Sequence, residues 1–140
     1  MTNPGKGMMD TWNENITKVE DNKAYVGDDL FANIQTDKIV NGTQFFYYNA
    51  LESFSSDLSS LTNGIYMFSY CNKLESFTSD LSSLTYGNCM FSGCDKLEFF
   101  TSCLKSLESA YDMFYYCTNL SQFASDLSSL TYGNCMFNYC

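Results

Sequence analysis

The sequence predicts an α/β repeat: a right-handed solenoid of 23-residue coils with one parallel β-sheet and short helical turns. Three observations predict it. Leu51, Leu74, Leu97 and Leu120 each open a segment 23 residues after the last, and these segments cover everything from residue 51 to Cys140. The positions that recur are apolar, so one segment has a face that it cannot bury alone, and stacking neighbours would bury it. The chain is 140 residues long, 45% hydrophobic and 17% aromatic, enough for the core of one domain.

The predicted order of parts follows the spacing. Residues 1–27 form an N-terminal cap in which Trp12, Ile16, Val19 and Tyr25 are available to cover the first coil. Residues 28–50 are a degraded unit, and 51–73, 74–96, 97–119 and 120–140 are clear ones. In the degraded unit the segment Thr43 to Leu51 aligns with residues 65–74, which places Phe45 where Phe68 stands and Tyr48 where Cys71 stands.

Within a unit, each element has its reason. The opening L-E-S-F-T-S is short, aromatic and rich in hydroxyls, and fits a strand of about 3–6 residues. Asp57, Asp80 and Asp126 mark a turn, because an Asp carboxylate accepts from a nearby backbone N–H. The L-S-S-L-T that follows reads as a second extended stretch or a turn. Gly64, Gly87 and Gly133 are expected where the chain needs a positive φ, and Ala110 breaks that column in the third unit. The M-F-x-x-C that ends each unit has apolar residues at i, i+1 and i+4, which suits one helical turn.

Composition excludes several classes of function. There is no His and no Arg, so a Ser-His or Cys-His pair, a His metal site and an arginine clamp are all out. The net charge is −9, which argues against nucleic acid as a partner. No apolar run approaches the ~20 residues of a membrane helix, and residues 1–26 lack the apolar core of a signal peptide. The three N-x-[ST] sequons, at Asn15, Asn41 and Asn119, therefore read as accidental. Gly5 and Gly7 around Lys6 do not make a phosphate loop, and Asp10, Asp28, Asp29 and Asp37 lack Ca²⁺-loop spacing.

Seven Cys invite a disulfide or metal reading, and geometry argues against both. Cys71, Cys94, Cys117 and Cys140 form one column, and neighbours about 4.8 Å apart would have parallel Cβ directions that strain a disulfide. Cys89 and Cys135 lie two units apart, about 10 Å, beyond bonding range. A line of thiolates is poor tetrahedral geometry for zinc. The column is expected to be buried free thiols, and no metal or cofactor is expected. Tyr70, Tyr116 and Tyr139 share one column, and Tyr86 and Tyr132 another; both read as stacked packing.

The motif M-F-x-x-C-x-x-L-x-x-F, in Met67 to Phe77 and again in Met90 to Phe100, resembles the BspA-like class of leucine-rich repeats. The resemblance implies a leucine-rich-repeat solenoid and a surface or secreted protein used in adhesion or protein binding. It also implies that the outward strand columns are the binding face: Glu52, Ser53 and Ser55, then Glu75, Ser76 and Thr78, then Glu98, Phe99 and Thr101, then Ser121 and Gln122. Phe99 is the irregular member, an aromatic in a column that otherwise holds Ser or Gln. A flat row of carboxylates gives no cleft for glycoside hydrolysis, so no enzyme activity is expected. The expected function is recognition or adhesion toward a protein or glycan. The alternative is a structural spacer in a larger surface or phage-virion protein. The array stops at Cys140 without a polar capping unit, so the chain is expected to be a fragment, or to have its last coil, with the edges of Leu120, Phe123, Leu127 and Leu130, covered by another chain or a second copy.

Overall fold

The computed structural model describes residues 15–140. Trp12 and the Gly5–Lys6–Gly7 segment lie outside the described residues. The chain opens with an antiparallel meander of β1 (Lys18–Glu20), β2 (Lys23–Val26) and β3 (Asp29–Asn33). Asp21 and Asn22, both at positive φ (48° and 59°), make the tight turn between β1 and β2. Ile16, Val19 and Ala24 of this meander are fully buried. A three-residue 3-10 turn, Thr36–Lys38, leads into the units. Thr36 is locked there by hydroxyl contacts to Asn22 and to Ser56 of the first unit.

Each unit contributes a strand of two residues: β4 (Ser53–Phe54), β5 (Ser76–Phe77), β6 (Phe99–Phe100) and β7 (Gln122–Phe123). β1 pairs in parallel with β4, and β4 with β5, giving a mixed five-stranded sheet in the order β3-β2-β1-β4-β5. β6 and β7 pair in parallel as a separate two-stranded sheet.

This architecture corrects the expected class. The domain is almost all β, not an α/β leucine-rich-repeat solenoid. Among the described residues the 3-10 turn is the only helical segment, and the main sheet is mixed. The strands divide between two sheets, so no single sheet runs through and no solenoid closes.

The expected helical turn is replaced by a chain of tight turns. From Gly64 to Cys71, alternate N–H groups bond in two directions. Met67, Ser69 and Cys71 donate three residues back, to Gly64, Tyr66 and Phe68. Gly64, Tyr66, Phe68 and Tyr70 donate to Tyr86, Asn88, Met90 and Ser92 of the following unit. Such a ribbon needs positive φ twice per unit. The residues that supply it are Gln44 and Tyr48 in the degraded unit, then Tyr66 and Tyr70, Cys89 and Gly93, Asp112 and Tyr116, Cys135 and Tyr139. A non-Gly residue in that region is costly, and in every unit but the fourth the N–H bonds of these residues to the next unit hold them in place.

The recurring glycines serve a different end from the one expected. Gly64, Gly87 and Gly133 are not at positive φ. A Cβ on Gly64 would meet the Met90 sulfur at 2.8 Å, and one on Gly87 would meet Leu107 and Met113 at 3.2 Å. Gly64 and Gly87 are small so that Met of the next unit can pack against the backbone.

The core is two interlocked stacks of Phe. Phe54, Phe77, Phe100 and Phe123 stack at 5.7, 6.0 and 5.7 Å. Phe46, Phe68, Phe91, Phe114 and Phe137 stack at 5.5, 5.4, 5.5 and 5.6 Å. Edge contacts join the two, as between Phe77 and Phe91 at 4.9 Å, and each such pair adds about 0.5–1.5 kcal/mol beyond burial. The alignment of the degraded unit shifts by one residue. Phe46 stacks on Phe68, and Asn49 precedes Cys71 in its column, because the missing residue falls just before Leu51. Leu120, Phe123, Leu127 and Leu130 are half-buried against the core.

Candidate functional site

On the strand side, a backbone ladder joins successive units, with the later unit donating to the earlier. Glu75 and Ser76 donate to the Glu52 carbonyl at 2.9 and 3.3 Å, and Thr78 donates to Phe54 at 3.1 Å. Ser121 and Gln122 donate to Glu98 at 3.0 and 3.2 Å, and Ala124 to Phe100 at 3.0 Å. Between the second and third units the equivalent bonds, from Glu98, Phe99 and Thr101 to Glu75 and Phe77, are not made. This seam is where the two sheets separate.

Side chains mark the same seam. The Ser79 hydroxyl donates to the Ser56 carbonyl, and that of Ser125 to Ser102 at 2.6 Å. The Ser102 hydroxyl, buried in the same column, has no partner. Phe77 and Phe100 make the widest contact in their stack, and Phe77 is 4% exposed where Phe54 and Phe100 are fully buried. The third unit is also the one that departs in sequence. Asp57, Asp80 and Asp126 accept from the N–H of Ser59, Ser82 and Ser128 at 2.7, 3.0 and 2.9 Å, while their column holds Cys103 in the third unit.

A groove of about 610 Å³ lies over the seam. β5 and its flanks supply Glu75, Ser76, Phe77 and Thr78; β6 and its flanks supply Glu98, Phe99 and Thr101; Lys96 and Asn119 complete it. The face is therefore not flat at this point, contrary to expectation. Phe99 projects with 50% of its surface exposed. Alternation along a two-residue strand explains this: Phe100 points into the core and Phe99 points out.

Six residues of the expected face, Glu75, Ser76, Thr78, Glu98, Phe99 and Thr101, come together in the groove. Glu52, Ser55, Ser121 and Gln122 are exposed, and Ser53 half-buried, on the same face outside it. Sequence reasoning missed Phe77, Lys96 and Asn119. Lys73, Lys96 and Asn119 occupy the column just before the unit-opening Leu, and that periodicity was the available signal. The Asn119 amide is fixed by donating to the Asp95 carbonyl at 2.6 Å.

The thiols have their own arrangement. Cys71, Cys94 and Cys117 donate S–H to the carbonyls of Phe46, Phe68 and Phe91 in the preceding unit at 3.1, 3.2 and 3.1 Å. Burial pushes the Cys71 thiol up to about 12 and holds Cys94 and Cys117 well above the ordinary range. Such groups are neutral donors, neither nucleophiles nor metal ligands. No cluster of three or more His, Cys, Asp or Glu that could hold a metal occurs among the described residues. No helix among them is long and apolar enough to cross a membrane. The Tyr columns are largely exposed: Tyr48 stacks on Tyr70 at 5.0 Å and Tyr116 on Tyr139 at 4.8 Å, with Gly93 between the pairs.

Comparison with known proteins brings no family, no curated sequence and no solved structure that matches this chain.

Proposed function

We propose that the protein is a non-enzymatic recognition module whose strand face presents the groove around Phe99 to a protein or glycan partner. One observation carries this reading: Phe99, a large and exposed aromatic, stands in a concavity, at the one junction of the described units where the strand ladder is open. Glu75 and Glu98 come from the same column of successive units. They therefore line up along the face, whereas a glycosidase places its acid and base on opposite sides of the scissile bond.

The test compares wild type with Phe99→Ser and Gln122→Ala on immobilised glycan and peptide arrays. Phe99→Ser restores the Ser of the two preceding units, and Gln122→Ala changes the same face outside the groove. The expected result is a set of ligands lost with Phe99→Ser and kept with Gln122→Ala. If no ligand depends on Phe99, the groove is not the binding site.

A further inference from the structure

We infer that the groove takes a neutral or amine-bearing oligosaccharide, with one sugar ring packed on Phe99; this deepens the recognition reading above and rests on it. The chemistry begins with the ring. The Phe residues of both core stacks lie against one another, but Phe99 makes no ring contact with another aromatic among the described residues and is half exposed. A pyranose has a C–H face that packs on such a ring, and an equatorial rim of hydroxyls that must find partners. The groove supplies those partners: the carboxylates of Glu75 and Glu98 as acceptors, the hydroxyls of Ser76, Thr78 and Thr101 as both, and the Lys96 ammonium as donor.

These polar groups are unspent. None of the side-chain hydrogen bonds of the described residues uses Glu75, Ser76, Thr78, Glu98 or Thr101, and the ion pair found among them is Lys18 with Glu20, not one to Lys96. A protein interface of ordinary size buries about 800 Å² per partner around a cluster of anchors. Here there is one aromatic anchor with polar groups close on both sides, which suits a narrow, hydroxyl-rich ligand.

Charge narrows the class. The protein carries −9, and the groove itself holds two carboxylates against one ammonium. Sulfated or uronic-acid chains are repelled, and an amino group is attracted. Length matters as well. The face continues beyond the groove through Ser55 and Glu52 on one side and Ser121 and Gln122 on the other, in parallel strands. A longer saccharide gains contacts along that direction, so affinity should rise from disaccharide to tetrasaccharide.

The experiment titrates the ¹⁵N-labelled full chain with cellotetraose, chitosan tetramer, a heparin tetrasaccharide and a tetralysine peptide, following the amide signals of residues 75–78 and 98–101. The expected result is saturable shifts with cellotetraose or chitosan tetramer and none with heparin. These shifts should weaken about tenfold or more in Phe99→Ser and persist in Phe99→Trp. Phe99→Trp keeps the test open should Phe99→Ser disturb the fold. If neither neutral nor amine-bearing saccharide moves these signals while tetralysine does so in a Phe99-dependent way, the saccharide inference is overturned and the recognition reading stands. Heparin binding equal to that of cellotetraose also overturns it. If no probe moves them, both fall.

Discussion

The second and third units meet along two sides, and the two sides differ. On the turn side Gly87, Cys89, Phe91 and Gly93 donate to Ser109, Tyr111, Met113 and Tyr115 at 2.7–2.9 Å, an unbroken run. On the strand side the same two units share no backbone bond from Glu98, Phe99 or Thr101, and the Ser102 hydroxyl is left without a partner. The junction is thus hinged along one edge and open along the other, with the Phe stacks between. A groove on this face needs such a local failure, because a complete ladder presents a level surface. The turn side supplies stability, and the strand side trades some of it for a concavity. Amide exchange reads this directly: Cys89 and Phe91 should exchange slowly, and Phe99 and Thr101 faster than Gln122 and Ala124.

The largest effect is expected from removing the shared core. Phe91 stacks on Phe68 and Phe114 and meets Phe77 and Phe100 edge-on at 4.9 and 5.3 Å. Phe91→Ala should cost about 3–5 kcal/mol. Urea unfolding that shows a loss below about 1 kcal/mol would mean that the stacks do not join the two sides.

Next comes the thiol column. Cys94→Ala removes a buried side chain and the donor to the Phe68 carbonyl, and should cost about 1–2 kcal/mol with the fold retained. Cys94→Ser keeps a donor beside that carbonyl and should cost less. Native protein at pH 8 should label at exposed Cys135 and Cys140, and Cys71, Cys94 and Cys117 only on unfolding, since burial keeps these three protonated. Rapid native labelling of all three would contradict the packing described.

A smaller contrast isolates the seam. Ser79→Ala deletes a hydroxyl that donates to Ser56, and should cost about 1 kcal/mol. Ser102→Ala deletes an unpartnered one, and should be neutral or stabilising by up to about 1 kcal/mol. Equal costs at the two sites would mean that the ladder is closed at both.

The differing legibility of the two sides has physical causes. The apolar columns were readable because burial acts on side-chain type at fixed spacing, and Leu51, Phe54, Met67 and Phe68 are all buried. The Asp turns were readable because the acceptor and its N–H lie two residues apart. The helical turn was not, since M-F-x-x-C has helical spacing but its N–H groups bond alternately within and between units, a choice made by the neighbour. The glycines misled for a related reason. Gly64 is small to admit Met90, while Tyr66 and Tyr70 carry the positive φ that composition would have assigned to Gly. Phe99 stood out as a departure from its column, but the groove needed the missing bonds beneath it, and no spacing encodes those.

The smallest effect expected is in acid, and it again separates the third unit from the others. Asp57 is held below the ordinary carboxylate range by the backbone N–H of Ser59, and Asp126 by the hydroxyl and N–H of Ser128. A carboxylate whose folded pKa is depressed stabilises the fold above its unfolded value, about 3.9 for Asp, and that contribution fades as pH falls through the lower folded value. Asp57→Asn with Asp126→Asn keeps an oxygen to accept from Ser59 and Ser128 but removes the titration. The double variant should therefore lose stability less steeply than wild type as pH falls below about 4. Cys103→Asp should move the other way. It gives the third unit the carboxylate acceptor that the other three possess, so it should stabilise the protein at neutral pH and steepen the acid loss. Thermal unfolding at pH 7 and pH 3 checks both variants. Curves for Cys103→Asp that match wild type at both pH values would show that the missing Asp turn has no part in the departure of the third unit.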